Sequence, residues 1–432
     1  MKDEIKTRLA QIRAGEIPKG YKKTKLGIIP QEWEVMPLKS RFDRLTRKNS
    51  EGNTNVMTIS AQYGLINQEE FFKKGIASED KSNYYLMYSG EFAYNKSYSN
   101  GYPFGAIKRL SLYDKGVVSP LYICFFANKD NTCPEFYQHY FEGGKLNSEI
   151  HAIAQEGARN HGLLNISVED FFYTHIIVPP IEEQKKIADI LSSQDKVIEL
   201  CERKLEQLKR MKKYYLQNMF PKDGEEYPEI RFKGFTDPWE QRKLGDISDS
   251  YSGGTPTAGK TKYYGGNIPF IRSAEVNSDY TELFLTEEGL KNSSAKMVNQ
   301  GDILYALYGA TSGEVGIARI NGAINQAILD IKPHENYDAQ FIMQWLRKSK
   351  ENIISTYLQG GQGNLSGTIV TSLMVDCPTY SEQKKIGKYF FNLDNLITIH
   401  QRKCEEEKKK KNALQQLLLT GIVRVKNDTT RL

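Results

Sequence analysis

Two stretches of this chain carry apolar residues at alternating steps of four and three. The first runs Ile187, Leu191, Ile198, Cys201, Leu205, Leu208, Tyr215 and Met219, with Gln194 and Lys212 filling the gaps. The second runs Ile386, Phe390, Leu393, Ile397, Cys404, Leu414 and Leu418, interrupted by His400, Glu407 and Lys411. A seam of this period predicts a long helix that needs a partner for its apolar stripe. At roughly 40 residues and about 1.5 Å per residue, each helix is about 60 Å long. Pro221 and Gly224 close the first, Gly421 closes the second, and Thr379 with Glu382 offers a capping box at the second helix start. The economical partner for each helix is the other, antiparallel because a globular stretch separates them, giving a rod with a domain at either end. Gln194 and His400 then fix register at some cost in stability. His400 reads as a satisfied interface histidine. Lys204, Lys209, Arg210, Lys212, Lys213 and the lysines at 408–411 read mostly as solvated faces alternating with glutamates.

Residues 28–179 and 239–377 have a different texture, with short strands and turns. The glycine-bounded runs 301–308 and 322–331 are strand-like, and helices are expected at 134–141 and 338–348. The two halves also resemble each other. Pro179-Pro180-Ile181-Glu182-Glu183-Gln184-Lys185-Lys186-Ile187 reappears 199 residues later as Pro378-Thr379-Tyr380-Ser381-Glu382-Gln383-Lys384-Lys385-Ile386. At the same shift Asn165-Ile166-Ser167 falls on Asn364-Leu365-Ser366, and Asp195 on Asp394. Further upstream Gly90-Glu91-Phe92-Ala93-Tyr94 answers Gly301-Asp302-Ile303-Leu304-Tyr305, and Pro30-Gln31-Glu32-Trp33-Glu34 answers Pro238-Trp239-Glu240. Blocks recurring in one order mark a duplicated unit, a variable globular part followed by a helix. The expected class is α+β, with two globular domains separated by two long antiparallel coiled-coil helices. The expected layout is an N-terminal helical extension (1–27), a first domain (28–179), a first helix (180–220), a linker (221–238), a second domain (239–377), a second helix (378–420) and a tail (421–432).

Composition narrows the chemistry. Hydrophobic content of 39% and charged content of 26% over 432 residues describe a globular chain with real cores. No apolar run approaches the roughly 20 residues of a membrane helix, and the start, Met1-Lys2-Asp3-Glu4, lacks a signal peptide's apolar segment. Five irregularly spaced cysteines make neither a disulfide framework nor a CxxC metal pair, which fits a reducing cytoplasm. A net charge of +6 permits nucleic-acid binding without demanding it. The 26 tyrosines are more telling, because many sit among Gly, Asn, Ser and Lys, as in the stretch 94–102. Gly254-Thr255-Pro256-Thr257-Ala258-Gly259-Lys260-Thr261 has the spacing of a nucleotide-binding P-loop, but a poor strand precedes it and a segment unable to continue a helix follows. Hydrolase, zincin, dinucleotide and amino-methyltransferase signatures are all missing, so neither a catalytic residue nor a bound cofactor or metal is expected.

Together these blocks resemble the specificity subunit of type I restriction–modification systems. The second half carries the likeness best, in Gly253-Gly254-Thr255-Pro256, Tyr264-Gly265-Gly266-Asn267-Ile268-Pro269-Phe270-Ile271, Gly301-Asp302-Ile303-Leu304, Gly309-Ala310-Thr311-Ser312-Gly313 and Asn325-Gln326-Ala327. The Pro-x-x-x-Glu-Gln-x-x-Ile helix start, present twice, resembles that family's spacer helices. The first half departs from the second with Ser119-Pro120 in place of Asn325-Gln326. The resemblance implies a DNA-binding, non-catalytic chain whose two target recognition domains each read half of a bipartite asymmetric site. It implies two methyltransferase subunits docked on the helices and bringing S-adenosylmethionine, with ATP-dependent translocase-nuclease subunits joining for cleavage. This chain itself would bind neither cofactor. DNA readers are expected on polar loops beside the repeat blocks: Lys96, Tyr98, Asn100, Arg159 and Asn160 in the first domain, and Thr255, Lys260, Arg272, Tyr308, Thr311, Ser312 and Gln362 in the second. A stand-alone DNA-modifying enzyme, a structural coiled-coil scaffold, and a specificity subunit serving a fused restriction enzyme are the other readings.

Overall fold

The computed structural model describes residues 2–60, 63–72, 80–99, 101–128, 130–154, 164–358 and 364–425. Two compact units emerge, one formed by Met1–Leu200 with Cys404–Leu432, the other by Cys201–Lys403. Each contains a globular α+β part together with a stretch of both long helices, so the expected fold class holds. The boundary runs through the helices rather than between helices and domains.

In the first unit α1 (Lys2–Arg13) is followed by a hairpin, Tyr21–Thr24 with Gly27–Pro30, so strands occupy the end of the stretch expected to be helical. The central sheet has four antiparallel strands: β1 (Phe42–Leu45), β2 (Phe92–Asn95), β3 (Ala106–Arg109) and β4 (Ile123–Ala127). Their spatial order is β1-β4-β2-β3. Against it lies α2 (Pro134–Glu142), whose proline takes the first helical turn, where its missing N–H costs nothing. Phe42, Phe92 and Phe125 from the sheet meet Tyr137 and Phe141 from α2 in an aromatic core, mostly edge to face.

The second unit repeats this plan. Strands β5 (Ser248–Ser252), β6 (Ile303–Ala306), β7 (Val315–Ile317) and β8 (Ile328–Pro333) stand in the order β5-β8-β6-β7, again all antiparallel. The stretch 322–331, expected as one strand, is two: Gly322–Ile324 joins another sheet and only β8 joins this one. The helix expected at 338–348 runs further, as α4 (Ala339–Tyr357), capped by the Asp338 carboxylate on the Phe341 N–H. Its buried stripe, Phe341, Ile342, Trp345, Leu346 and Ile353, carries it past the polar residues that suggested an earlier end.

Both long helices form. They are α3 (Ile181–Asn218, 38 residues) and α5 (Tyr380–Leu418, 39 residues). The start of α3 meets the end of α5 in the first unit, where Gln194 Nε2 donates to Glu407 Oε2 at 2.6 Å and Lys411 pairs with Asp195 at 2.5 Å. In the second unit the end of α3 meets the start of α5, with Lys212 pairing with Asp394 at 2.5 Å. The pairing is therefore antiparallel. Lys212 and Lys411 are turned into the seam rather than solvated, because each finds an aspartate there. Burial, with Arg347 nearby, lowers the Lys212 pKa. His400 stands half-buried on the seam, and its Nδ1 has no protein hydrogen-bond partner among the described residues.

The repeated Glu-Gln pair explains how each helix is fastened. Gln184 donates to the Pro179 carbonyl (2.7 Å) and accepts from the Cys133 N–H (2.9 Å), which caps α2. Gln383 does the same with the Pro378 carbonyl (2.8 Å) and the Asp338 N–H (3.0 Å) that caps α4. The preceding glutamates are buried and each faces an arginine. Arg424 reaches Glu183 with two bonds of 2.7 and 2.8 Å, and Arg231 reaches Glu382 with two of 2.8 Å. Glu382 thus serves an ion pair rather than the expected capping box, and the Thr379 hydroxyl lies 3.2 Å from Ser381 Oγ instead. Glu183 also accepts from the indole of buried Trp33 at 2.8 Å. The Glu382 side chain is fully buried, so removing its partner leaves an uncompensated charge. Arg231→Ala should destabilise the second unit by about 3–5 kcal/mol in urea unfolding. Arg210→Ala, which breaks the exposed pair with Glu206, should cost less than about 0.5 kcal/mol.

Candidate nucleic-acid interface

Strand register places the family of polar loops at one end of each sheet. In the second unit Ser252 pairs with Leu329, Ala306 with Ile328, and Tyr305 with Val315. The loops after β5, before β8 and between β6 and β7 therefore leave from the same end. Backbone bonds knit them together. Leu307 N donates to the Ala327 carbonyl, Leu365 N to the Leu307 carbonyl, and Gly254 N to the Ile324 carbonyl. A Cβ on Gly254 would sit 1.9 Å from Ser294 Oγ, so this loop is pressed against its neighbour where only glycine fits.

The first unit builds the same edge. Leu45 pairs with Cys124, Tyr94 with Ile123, and Asn95 with Ala106, and Leu164 N donates to the Lys96 carbonyl as Leu365 does to Leu307. Gly105 is required there on two counts, a φ of +74° and a would-be Cβ 2.2 Å from the Asn95 carbonyl.

The sequence-predicted readers divide on this frame. Thr255, Tyr308, Thr311 and Ser312 come together at the sheet end in the second unit, and Lys96 and Tyr98 in the first. Tyr98 is 61% exposed. Lys96 is a brace, half-buried with Nζ on the Ile166 carbonyl at 3.2 Å. Ser312 is buried with its hydroxyl on the Leu307 carbonyl, and the Thr311 hydroxyl lies on the Tyr308 carbonyl. Thr255 is exposed and donates to Gln326 Oε1 at 2.6 Å. Lys260 is exposed further along that loop, 5.2 Å from the Tyr263 ring centre. Arg272 leaves its strand (Tyr264–Ile271) beside Asn325, since Ile271 pairs with Ile324. Glu275 and Glu282 hold it at 2.6 and 3.0 Å and raise its pKa further, so its charge is largely spent within the domain. Asn100, Arg159, Asn160 and Gln362 lie outside the described residues.

Gln326, within the Asn325-Gln326-Ala327 block, is not among the residues the sequence singles out. Thr255 holds its amide carbonyl, which leaves the exposed Nε2 with no protein partner among the described residues. Its counterpart in the first unit is Pro120, which has no such donor, followed by Leu121 at 76% exposure. The two edges thus share a frame and differ in what they display.

Other chemistry finds little footing. The P-loop-like stretch follows a real strand, β5, but leads into a single 3-10 turn, Thr261–Tyr263, and then a strand. Among the described residues no cluster of three or more His, Cys, Asp or Glu is placed to hold a metal, and no helix is long and apolar enough to cross a membrane. Asp330 on β8 is fully buried, and burial pushes its carboxyl up to about 6; its nearest cation, Lys332, is 3.6 Å away.

The model of the type I restriction modification DNA specificity domain matches residues 30–210 and 236–408, one match for each half. The chain belongs to this family. It is 27% identical over 430 residues to a putative type I restriction enzyme specificity subunit, MjaX, of Methanocaldococcus jannaschii, covering 94% of this chain and 97% of that one. It is 24% identical over 166 residues to the EcoR124I/EcoR124II specificity subunit of Escherichia coli, covering 36% and 41%. Its fold is that of the type I S subunit from M. genitalium, with a TM-score of 0.59 at 16% identity over 92% of this chain and 97% of the other. A chain from a structure of type I complex assembly matches with a TM-score of 0.54, also at 16% identity, over 91% and 99%. The protein is thus a DNA specificity subunit and not itself the catalyst.

Lys260 is exposed and has no ion-pair partner among the described residues, which suits it to phosphate, a contact that positions a protein without reading sequence. Lys260→Ala should weaken binding of the assembled complex to cognate and unrelated duplexes alike, and lower the salt slope by about one. Titrations at several salt concentrations check this. A loss confined to one base of the cognate site would make Lys260 a base reader instead.

Proposed function

We propose that each globular part reads one half of a bipartite, asymmetric DNA site through the loops at the end of its sheet, while the paired long helices carry two methyltransferase subunits. Those subunits bring S-adenosylmethionine and modify adenine, and ATP-dependent translocase-nuclease subunits join for cleavage, all within the cytoplasm. The observation that carries this reading is the repeated strand order, β1-β4-β2-β3 and β5-β8-β6-β7, with Ser119-Pro120 at one edge and Asn325-Gln326 at the other. One scaffold displaying two unlike edges suits two unlike half-sites. Phosphate contacts would position each domain, and a few polar side chains on the loops would discriminate bases, each worth about 1–3 kcal/mol.

The test is a map of methylated adenine in DNA from cells expressing this chain with its methyltransferase. Methylation in a two-part motif, lost when this chain is deleted and restored by returning it, is the expected result. Methylation indifferent to the deletion, with the methyltransferase still present, contradicts the proposal.

A further inference from the structure

In the second unit both long helices are tied to the reading sheet through one carboxylate. Asp394 on α5 accepts from Lys212 Nζ on α3 at 2.5 Å, and from Arg347 Nη1 and Gln344 Nε2 on α4 at 3.1 and 3.0 Å. Arg347 reaches onward, its Nη2 donating to the Val315 carbonyl at 3.1 Å and to Asn277 Oδ1 at 3.4 Å. Val315 opens β7, the strand that follows the loop bearing Thr311 and Ser312. The chain of bonds therefore runs from α3, through α5 and α4, to the edge assigned to DNA.

Packing is open beside this network. A cleft of about 450 Å³ lies between the domain and α5, lined by Gly301, Met343, Phe391, Asp394 and Thr398. Where apolar contact is interrupted, directional charge-assisted bonds take over the task of fixing an angle.

The first unit shows how far this arrangement is built in. At the 199-residue shift Asp195 replaces Asp394, and it pairs with Lys411 at 2.5 Å as Asp394 does with Lys212. On α2 the group facing it is His139, 3.8 Å away and buried, with Nε2 3.1 Å from Ser192 Oγ. Burial lowers the His139 pKa. Alignment of Phe136 with Phe341 puts Glu142 in Arg347's place, and it turns to Lys108 on β3 at 3.4 Å. The helix–helix aspartate bridge is shared by both units, whereas an arginine running from that aspartate to the reading sheet belongs to the second.

We propose that Asp394 and Arg347 are positioning residues: they set the angle of the second recognition domain on its helix pair and thereby hold the number of base pairs accepted between the two half-sites. This rests on the two-half reading of function above. Arg347 touches neither base nor phosphate in this role; it acts through β7.

The test uses the full chain assembled with its methyltransferase, on duplexes whose half-sites are separated by the preferred gap or by one base pair more or less. The unaltered complex should methylate one gap strongly. Arg347→Ala should raise the rate at off-gap sites relative to the preferred gap by about tenfold, equivalent to ~1.4 kcal/mol, with the bases required in each half unchanged. Asp394→Ala should do the same. Lys212→Met, which breaks the bond between the helices but leaves Asp394 on Arg347, should keep the strict gap. A uniform fall at every gap in the arginine and aspartate variants, or an unchanged ratio, would overturn the assignment in favour of a purely structural role. Should Arg347→Ala fail to assemble, Arg347→Lys preserves the charge but cannot span Asp394 and Val315 together, and carries the same expectation. An unaltered complex that methylates no two-part motif sinks the functional reading; one that does so, with its gap preference intact in Arg347→Ala, sinks only this inference.

Discussion

A carboxylate in a protein interior must be paired, and the two glutamates that open the long helices impose that demand on the whole chain. Glu183 and Glu382 are buried where helix and domain meet the segment that follows the other long helix. Each is answered by an arginine that follows the other long helix, Arg424 after α5 and Arg231 after α3. The adjacent glutamines hold the N-terminal cap of the domain helix against the carbonyl before the long helix. At each junction three side chains, a glutamate, a glutamine and an arginine, thus specify where a helix begins, which domain helix it abuts, and which segment returns to cover it. Apolar packing supplies the bulk of the stability. It cannot dictate such a unique junction, because hydrophobic surface is indifferent to which apolar partner covers it.

With the junction fixed twice, the domains are free to differ elsewhere. Strand order and the backbone bonds at the sheet end are common to both, as the matching Leu164–Lys96 and Leu365–Leu307 bonds show. The second layer is not shared. One unit has a four-stranded sheet that includes the parallel pair Tyr264–Ile271 and Gly322–Ile324; the other has two two-stranded antiparallel sheets there, Met57–Ser60 with Gly64–Asn67 and Tyr85–Tyr88 with Lys115–Val118. The side chains displayed at the edge diverge as well. A specificity subunit needs this separation of constant frame from variable surface, since a change of target must not cost it its partners or its fold.

Much of the frame was legible from residues alone. The alternating four-and-three steps gave both long helices to within a few residues, because a heptad pattern leaves no other structure able to bury it. The repeat located the glutamates and glutamines. Sequence could not show what they bind, since Arg231 and Arg424 lie 151 and 241 residues from their partners. Thr379 and Glu382 have the spacing of a capping box, and only the approach of Arg231 reveals that the carboxylate is otherwise engaged. The edge proposed for recognition was half legible. Glycines and tyrosines marked the loops, but exposure separates Tyr98 and Thr255 from Ser312 and Lys96, and exposure follows from tertiary packing. Nothing in the Asn325-Gln326-Ala327 block singles out Gln326, because its setting depends on the Thr255 hydroxyl 71 residues away.

If one frame carries two independent readers, either can be exchanged alone. Replacing residues 239–377 with the corresponding stretch of another specificity subunit and mapping the methylated motif puts this to the test. One half of the motif should change and the other half should be kept base for base. A motif altered in both halves, or altered in neither while the replaced chain still assembles and methylates, would contradict that independence.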